Sequence, residues 1–591
     1  MSLLLWVLGG ILLYTAAAVT LNSRGLLPKS VRVSGPLLTV HTKRGREFLD
    51  RLATPRRLWR AWGNFGLGIA IVVMVAMFVF VVVSAYGAIT QPSLRTGIRP
   101  QDTLVIPGVN QFLPLAAAVH IVIGLVVGLV VHEGGHGLLC RVEDIDIESM
   151  GVALFALIPL GAFVQPDEES QQAADRGGKS RMFAAGVTNN FLVTVLTFVL
   201  FFGLVATAVA VVPGLAVGGA IPGSAADSAG IDRGDVLTAV DGEPIESDDD
   251  FEAVLADADR TVTVDRADAD PVTVERNLIV TGAVVDAPLS TGDEIAAVDG
   301  EPVFTRSEFD RAVGDAERIT LEVDGESIEM PVGTFVSTVP SDGPLAAAGV
   351  PDQPALIHSI GGEPTPTSEA LTDVLSETEP GETVEVVAFL GDDPENPWDG
   401  DRQEFEVTLA EHPENDHGFL GVSGIQDGTS GIVLDDFGVD PYPAQQYHAL
   451  LGGGDLGDDP ITTFIIRSGA VLILPFASVV DPNFAYNFAG FNGDVVNFYT
   501  LEGPLAPLGG TVAFGLLNAL FWTGWINLNL GIFNCIPSYP LDGGHLLRSS
   551  VEAALSRLPV EVGSYAAGVI TVGISIAMIV SFLGLLFVPQ L

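Results

Sequence analysis

The sequence has little lysine and little cysteine. Lysine occurs only at Lys29, Lys43 and Lys179, and cysteine only at Cys140 and Cys535. Two cysteines are too few for a disulfide framework, which excludes the small secreted proteins that depend on one. The shortage of cations leaves 73 acidic against 27 basic residues and a formal net charge of −46. Such a surface is typical of proteins that stay hydrated in high salt, where repulsion is screened over about 3 Å at 1 M. The alternative is an acidic domain that binds a basic partner.

Apolar residues, in contrast, are abundant. They make up 48% of the 591 residues, and the mean hydropathy is +0.44, which is too apolar for a soluble protein of this length. The carboxylates must therefore be segregated from the apolar segments. A transmembrane helix needs about 20 mostly apolar residues. Six runs meet this requirement and are predicted to span the membrane: 2–21, 67–90, 114–139, 184–212, 510–533 and 564–588.

The basic residues predict the orientation of these helices. Residues 22–61 hold a dense cluster of Lys and Arg and are therefore expected in the cytoplasm. Alternation then places residues 141–182 on the same side and residues 213 to about 460 outside. A further apolar stretch, 461–480, contains Arg467 and Pro475. Because a crossing there would invert every later helix, the stretch is predicted to be interfacial or re-entrant.

An internal repeat occupies the predicted exterior region. The segment "GDVLTAVDGEPI" at 234–245 recurs as "GDEIAAVDGEPV" at 292–303 and more weakly as "PALIHSIGGEPT" at 354–365. Each copy joins a short strand of alternating apolar and polar residues to an Asp-Gly or Gly-Gly turn, and an acidic helix and another strand follow. This order predicts two to three small α+β modules, of which the second is the least complete.

The stretch "LVVHEGGHGLLC", residues 129–140, places ionisable side chains in an apolar helix. On a helix, His132 and His136 lie on one face and can bind one metal ion, while Glu133 lies beside them. A charged residue at the centre of a membrane helix costs about 2.5 to 3.5 kcal/mol, so a function is expected. The alternative is that neighbouring helices satisfy these polar groups. Gly134 and Gly135 would let another backbone approach the metal.

A catalytic zinc site usually has three protein ligands and a water, so a third ligand is needed. The best candidate is Asp542 in "NCIPSYPLDGGH", residues 534–545, which follows a predicted span. Two helices far apart in the sequence must then pack side by side.

Together these motifs resemble the site-2 protease family of intramembrane zinc metalloproteases. The first is H-E-x-x-H, and the second, N-x-x-P-x-x-x-L-D-G, is matched by Asn534, Pro537, Leu541, Asp542 and Gly543. "AAGVTNNF" at 184–191 is similar to the family's A-G-P-x-x-N-F segment, with Val187 in place of proline. Residues 147–170 resemble its membrane-associated β-hairpin, which presents an edge to the substrate, and the repeats resemble circularly permuted PDZ domains. Residues 1–110 and about 425–505 have no clear counterpart.

The resemblance implies a role for each site residue. Zinc would be bound by His132, His136 and Asp542, and Glu133 would be the general base. Asn190 and Asn534 would donate hydrogen bonds to the substrate or to the oxyanion, unless they only join helices in lipid. His545 would support Asp542, with an ordinary surface histidine as the alternative.

The fold expected is a multi-pass α-helical membrane protein of about six transmembrane helices with an inserted extracytoplasmic array of PDZ-like α+β domains. Its parts are N-terminal helices and a basic loop (1–112), a catalytic membrane block (113–213), the repeats (214–424), an interfacial or re-entrant segment (425–509) and a C-terminal catalytic block (510–591).

The function expected is zinc-dependent cleavage of transmembrane segments after ectodomain trimming, in the cell membrane of a haloarchaeon. Membrane-protein substrates, the lipid bilayer and peptide termini bound by the PDZ-like domains are the predicted partners, and no nucleic acid is predicted. The alternative is a non-catalytic membrane-anchored PDZ receptor or scaffold with a structural zinc site. A zinc transporter is disfavoured, because HEGGH and Asp542 are predicted at the same face of the membrane and no ladder of further polar residues crosses the other spans.

Overall fold

The structure is a computed structural model and describes residues 3–28, 30–90, 105–155, 158–391, 396–413, 415–454, 456–457, 459–480, 485–557 and 564–587. It divides into two compact units: Met1–Val211 with Ala444–Leu591, and Val212–Pro443. The chain thus leaves the first unit, builds the second and returns.

The N-terminal part of the first unit holds the first long apolar helices. Helices α1 to α6 are Leu3–Ser23, Lys43–Leu52, Arg56–Thr90, Ala118–Val142, Glu168–Ala173 and Arg176–Ala208. Strands β1 to β5 are Val31–Ser34, Leu37–His41, Ile147–Phe155, Ile158–Pro166 and Val209–Val211. The apolar runs form helices because a helix in lipid satisfies every backbone N–H and C=O internally.

The hairpin predicted at 147–170 is part of a larger sheet. Strands β3 and β4 form it, and residues 156–157 between them lie outside the described residues. Strands β1 and β2 extend it to a four-stranded sheet in the order β1-β2-β3-β4. The sequence predicts only a basic loop for residues 22–61, because two strands of four and five residues show little alternation. Strand β4 is therefore one of the two edge strands, and it packs beside α4, with Gly161 next to Leu129.

The second unit contains three repeats built on one plan. In the first repeat, strands β6 to β10 are Leu215–Ala220, Val236–Val240, Glu243–Pro244, Thr261–Arg266 and Ala269–Glu275, and helices α7 and α8 are Ala225–Ser228 and Asp248–Asp257. In the second, strands β11 to β15 are Ile279–Ala283, Ile295–Val298, Glu301–Pro302, Arg318–Val323 and Glu326–Pro331, with one helix, α9, Arg306–Val313. In the third, strands β16 to β22 are Thr334–Thr338, Ala355–Ile360, Glu363–Pro364, Thr383–Leu390, Asp401–Thr408, Ala410–Glu411 and Gly418–Phe419, and helices α10 and α11 are Pro344–Ala347 and Ser368–Ser376.

The tight turns predicted in the three copies are confirmed. Both central residues have positive φ in each copy: 50° and 87° at Asp241 and Gly242, 49° and 81° at Asp299 and Gly300, and 61° and 88° at Gly361 and Gly362. Two residues of positive φ define the type I′ turn that joins antiparallel strands, and Asp-Gly is favoured there. The second copy has no helix between its first two strands, residues 284–294, all of which are described.

A return segment, residues 418–441, closes the three repeats in reverse order. Its strands β23 to β25, Ser423–Ile425, Ile432–Asp435 and Val439–Pro441, pair with β16, β11 and β6 respectively. The third repeat is therefore inserted in the second, and the second in the first. The return segment also supplies buried side chains to each core: Leu420 and Val422, Ile432 and Leu434, and Phe437 and Val439. The unit consequently ends at Pro443 and not at the sequence-derived boundary of 424.

The C-terminal part of the first unit completes the helical bundle. Helices α12 to α17 are Ala444–His448, Pro460–Ile473, Ala477–Val480, Gly510–Asn534, Asp542–Leu555 and Ser564–Phe587, and strand β26 is Tyr499–Leu501. Helix α15 runs parallel to α4, because a Cβ added at Gly124 would lie 2.8 Å from Trp522 O and one added at Gly128 would lie 2.6 Å from Leu530 Cδ1.

Helix α6 runs antiparallel to both. Thr194 Oγ1 lies 3.4 Å from Gly524 O, whereas Gly531 lies against Phe191, nearer the start of α6. The end of α6 and the start of α15 therefore lie at the same end of the bundle. Strand β5 pairs with β26 there, with Val209 opposite Leu501.

This arrangement limits the role of residues 461–480. A chain that leaves α6 and enters α15 at the same end of the bundle must cross the membrane an even number of times in between. Helix α13, a 3₁₀ turn at Leu474–Phe476 and α14 form one short apolar path, broken at Pro475, which lacks an N–H. A single crossing by this path would need a second crossing elsewhere between α6 and α15, and the interfacial or re-entrant placement of residues 461–480 stays a prediction.

In the described part of the chain, six helices are long and apolar enough to cross a membrane: Arg56–Thr90, Leu115–Val142, Arg176–Ala208, Pro460–Val479, Gly510–Asn534 and Tyr565–Phe587. Five correspond to predicted spans, and the sixth, Pro460–Val479, covers the apolar stretch 461–480. The first predicted span falls on α1, Leu3–Ser23. Residues 2 and 588, the outer ends of the first and last predicted spans, lie outside the described residues.

Candidate active site

Helix α4 and the start of α16 bring three potential metal ligands together. His132 and His136 lie one turn apart on α4, and their Nε2 atoms are 3.2 Å apart. Asp542 is the first residue of α16, and its Oδ2 lies 3.1 Å from His132 Nε2 and 3.3 Å from His136 Nε2. Residues 132 and 542 therefore lie side by side, as a shared metal site requires.

Helix α6 forms the floor beneath the two imidazoles. His136 Nδ1 lies 2.8 Å from the carbonyl oxygen of Met182, and a neutral His136 that donates there keeps the lone pair of Nε2 free. Gly186 lies directly against both rings, since an added Cβ would be 2.7 Å from His136 Nε2 and 2.8 Å from His132 Nε2. Only glycine fits at this position without moving the ligand atoms.

The three residues fit a zinc ion. A tetrahedral site with bonds of about 2.0–2.1 Å places its ligand atoms about 3.3 Å apart, close to the separations found here. Asp542 is buried, and its Oδ2 has no hydrogen-bond partner among the described residues, although it lies within ion-pair distance of both imidazoles. A carboxylate oxygen and an imidazole lone pair that face each other are stabilised only by a cation between them, because two electron-rich atoms repel each other.

Glu133 lies beside the ligands and contacts the edge strand of the sheet. Its Oε2 accepts a hydrogen bond of 2.9 Å from the backbone N–H of Val164 in β4. Val164 is opposite Met150 of β3, whose carbonyl oxygen accepts from Thr42 N on its other side. The N–H of Val164 therefore points away from β3, towards the unpaired edge of β4 and α4.

The two predicted asparagines are placed differently. Asn190 is fully buried, and with its amide nitrogen turned towards α4 it donates to Gly128 O at 3.2 Å and to Gly186 O at 3.3 Å. Asn534 Nδ2 donates to Leu530 O, one turn earlier in α15, at 2.9 Å. In this structure both amides bind helix carbonyls, so their catalytic roles stay predictions.

His545 lies next to the ligand cluster in α16. Its ring stacks on Phe183, with centroids 4.2 Å apart and an interplanar angle of 2°, and meets Tyr539 edge-on at 5.0 Å. Burial lowers the pKa of His545 below its ordinary value. These contacts make it a packed aromatic side chain, and support of Asp542 stays a prediction.

Comparison with known proteins identifies the family. Residues 120–580, well over half of the chain, match Peptidase family M50. The chain belongs to this family of peptidases. All three potential ligands and Glu133 lie within the matched residues.

Two relatives are similar to this M50 member. The chain is 24% identical over 477 residues to the Regulator of sigma E protease of Salmonella typhi, which covers 73% of this chain and 89% of that protein. It is 30% identical over 90 residues to the uncharacterized protein MJ0971 of Methanocaldococcus jannaschii, which covers 14% of this chain and 24% of that protein.

Several residues of this candidate site were not singled out from the sequence. Gly186 lies in the segment 184–191, which also contains Asn190. The glycine in that segment was the sequence signal for a close approach to another helix. Met182 and Val164 act through backbone atoms. A side-chain pattern carries no information about such contacts.

Proposed function

We propose that this protein is an intramembrane zinc metalloendopeptidase that cleaves transmembrane segments of other membrane proteins. The observation that carries the proposal is the meeting of His132, His136 and Asp542 in a buried site beside Glu133. The two histidines and Glu133 are on α4, a helix long and apolar enough to span a membrane, and Asp542 follows α15, which is another. Membership of a peptidase family and the similarity to the Regulator of sigma E protease of Salmonella typhi support it.

The ligand set defines what each residue does. Zinc bound by His132, His136 and Asp542 would activate a water and polarise the substrate carbonyl. Glu133 accepts the proton of the attacking water and delivers it to the leaving amine nitrogen. His136 is held by Met182 O so that Nε2 faces the centre. Burial of the cluster excludes bulk water, which strengthens each of these interactions.

Strand β4 supplies an edge for the substrate. A transmembrane helix must unwind before cleavage, because its carbonyl groups are already hydrogen-bonded. An unwound segment can add to the unpaired edge of β4, where its backbone replaces Glu133 as the partner of the Val164 N–H. Addition of the substrate then frees the Glu133 carboxylate for proton transfer.

The repeats extend the proposal to substrate choice. Their sequence resemblance to PDZ domains supports a position outside the membrane and binding of peptide termini at a sheet edge. In that position they would restrict the site to membrane proteins whose ectodomains have already been trimmed.

The decisive test uses purified full-length protein and a single-span substrate. Wild type is expected to contain stoichiometric zinc and to cleave. Glu133→Gln should keep the zinc, because Glu133 is not a ligand, while cleavage falls by about 10²–10⁴-fold. Zinc analysis and cleavage-product mass spectrometry provide the two measurements.

Glu148→Gln is the matched control. It makes the same chemical change at an exposed carboxylate of β3 and should cleave like wild type. Equal activity of wild type and Glu133→Gln would instead support a receptor or scaffold with a structural zinc site.

A further inference from the structure

A cavity of about 770 Å³ lies against the face of α4 that carries Glu133. Its lining is almost wholly apolar and comes from α2, the start of α3, one face of the β2–β4 sheet, α4 and α6. Helices α2 and α3 supply the bulky side chains of Phe48, Leu52, Trp59 and Trp62. A cavity of this size accommodates a bulky side chain together with the backbone that carries it.

Three polar side chains interrupt this apolar lining: the hydroxyl of Thr42, the carboxylate of Glu133 and the amide of Asn189. The indole N–H of Trp62 donates to Asn189 Oδ1 at 3.0 Å, and Asn189 Nδ2 lies 3.5 Å from Val131 O. A pocket with a few placed polar groups suits an apolar ligand that carries peptide groups, whereas a lipid tail offers nothing to these groups.

The sheet wall connects the cavity to the proposed path of the substrate. Val152 of β3 and Ala162 and Val164 of β4 line it. In a strand, alternate side chains point to the same face. A segment paired along the edge of β4 would therefore direct every second side chain towards the cavity.

The aromatic wall comes from this chain's own N-terminal region. Phe48, Trp59 and Trp62 precede residue 120, where the match to the peptidase family begins. The catalytic residues lie inside the match and the wall lies outside it. Selectivity built by this wall is a property of this protein and does not follow from family membership.

We propose that the cavity is a specificity pocket for one bulky apolar side chain, of the Leu, Met, Phe or Trp class, next to the scissile peptide bond of the substrate. The proposal rests on the proposed function, since it assigns the cavity to the substrate of the same site. Phe48 and Trp62 determine the specificity, and Asn189 positions Trp62.

The first test compares two phenylalanines of nearly equal exposure. Phe48 is 63% exposed and lines the cavity, and Phe80 of α3 is 62% exposed and lies outside the lining. The cleavage site of a single-span substrate is mapped with wild type, and each flanking residue is changed to Ala, Leu or Phe. Wild type should prefer Leu or Phe over Ala at one flanking position by at least tenfold.

The variants then decide the role of the wall. Phe48→Ala should reduce this preference to less than threefold, and Trp62→Phe should shift it towards larger side chains, whereas Phe80→Ala keeps it. An unchanged preference in Phe48→Ala, with normal cleavage of the Leu substrate, would overturn the proposal.

A second test identifies the occupant without cleavage. The photoreactive residue p-benzoylphenylalanine replaces Phe48 in the Glu133→Gln protein, which is irradiated in phospholipid nanodiscs with the same substrate. Adducts at the substrate residue next to the scissile bond are expected. Adducts with phospholipid alone would assign the cavity to a lipid. If wild type cleaved no substrate, the proposed function would fail, and the cross-link would still show whether a peptide enters the cavity.

Discussion

At the scale of single residues, the site depends on two glycines with opposite surroundings. A Cβ at Gly186 would lie within 2.8 Å of the Nε2 atoms of both His132 and His136, whereas a Cβ at Gly134 meets nothing within 4 Å. Gly186→Ala should therefore displace the ligand atoms and lower the zinc content at least tenfold. Gly134→Ala should retain zinc and, since Ala favours a helix by about 1 kcal/mol over Gly, should not loosen α4.

Metal analysis of the two purified variants, with circular dichroism to verify helix content, makes the comparison. Equal zinc in both would contradict the packing described here.

At the scale of elements, a buried ion pair joins the first two repeats to the return segment. Arg276 and Asp436 are 2% and 7% exposed, and Arg276 Nη2 lies 2.6 Å from Asp436 Oδ2. Arg276 also donates to the carbonyl oxygens of Leu255 and Ala258. Arg276 lies between the first and second repeats, and Asp436 lies in the return segment between β24 and β25. The pair thus links the chain that leaves the first repeat to the chain that returns to it.

Removal of one partner would leave the other charge buried and uncompensated. Arg276→Ala is expected to destabilise the packing of the return segment against the repeats by about 3–5 kcal/mol. Hydrogen exchange of residues 427–443 in the full-length protein should accelerate by about two to three orders of magnitude. Arg402→Ala is the control, because Arg402 forms its ion pairs with Glu317 and Glu404 at the surface. Similar acceleration in both variants would show that the pair does not hold the return segment.

At the scale of the whole molecule, the nested repeats can be removed as one piece. Strand β25 pairs with β6, and Tyr442 N donates to Ala216 O at 2.8 Å, so the entry and exit of the second unit are neighbours. Replacement of Val212–Pro443 by a short Gly-Ser linker should leave zinc binding intact. It should also abolish discrimination between a trimmed substrate and the same substrate with its ectodomain attached. Retained discrimination in this assay would contradict the proposed restriction of entry.

The sequence by itself determined the local elements and the residues of the candidate site. Apolar runs, the H-E-x-x-H spacing and the L-D-G motif predict the membrane helices and the three potential metal ligands, because lipid burial, helical periodicity and ligand type are local properties. The Asp-Gly turns of the repeats follow from the same kind of information. The boundary at 424 was too early because strands β23 to β25 span three or four residues each and pair with partners far earlier in the chain.

Only the tertiary structure decided how distant segments meet. It placed Asp542 against two imidazoles some four hundred residues away in the sequence, bound Glu133 to a backbone N–H of β4, and built an aromatic wall from residues 48–62. It also turned Asn190 and Asn534 towards helix carbonyls. These contacts depend on close helix packing at glycines and on backbone atoms that every residue has. Neither produces a residue pattern that can be recognised in a single sequence.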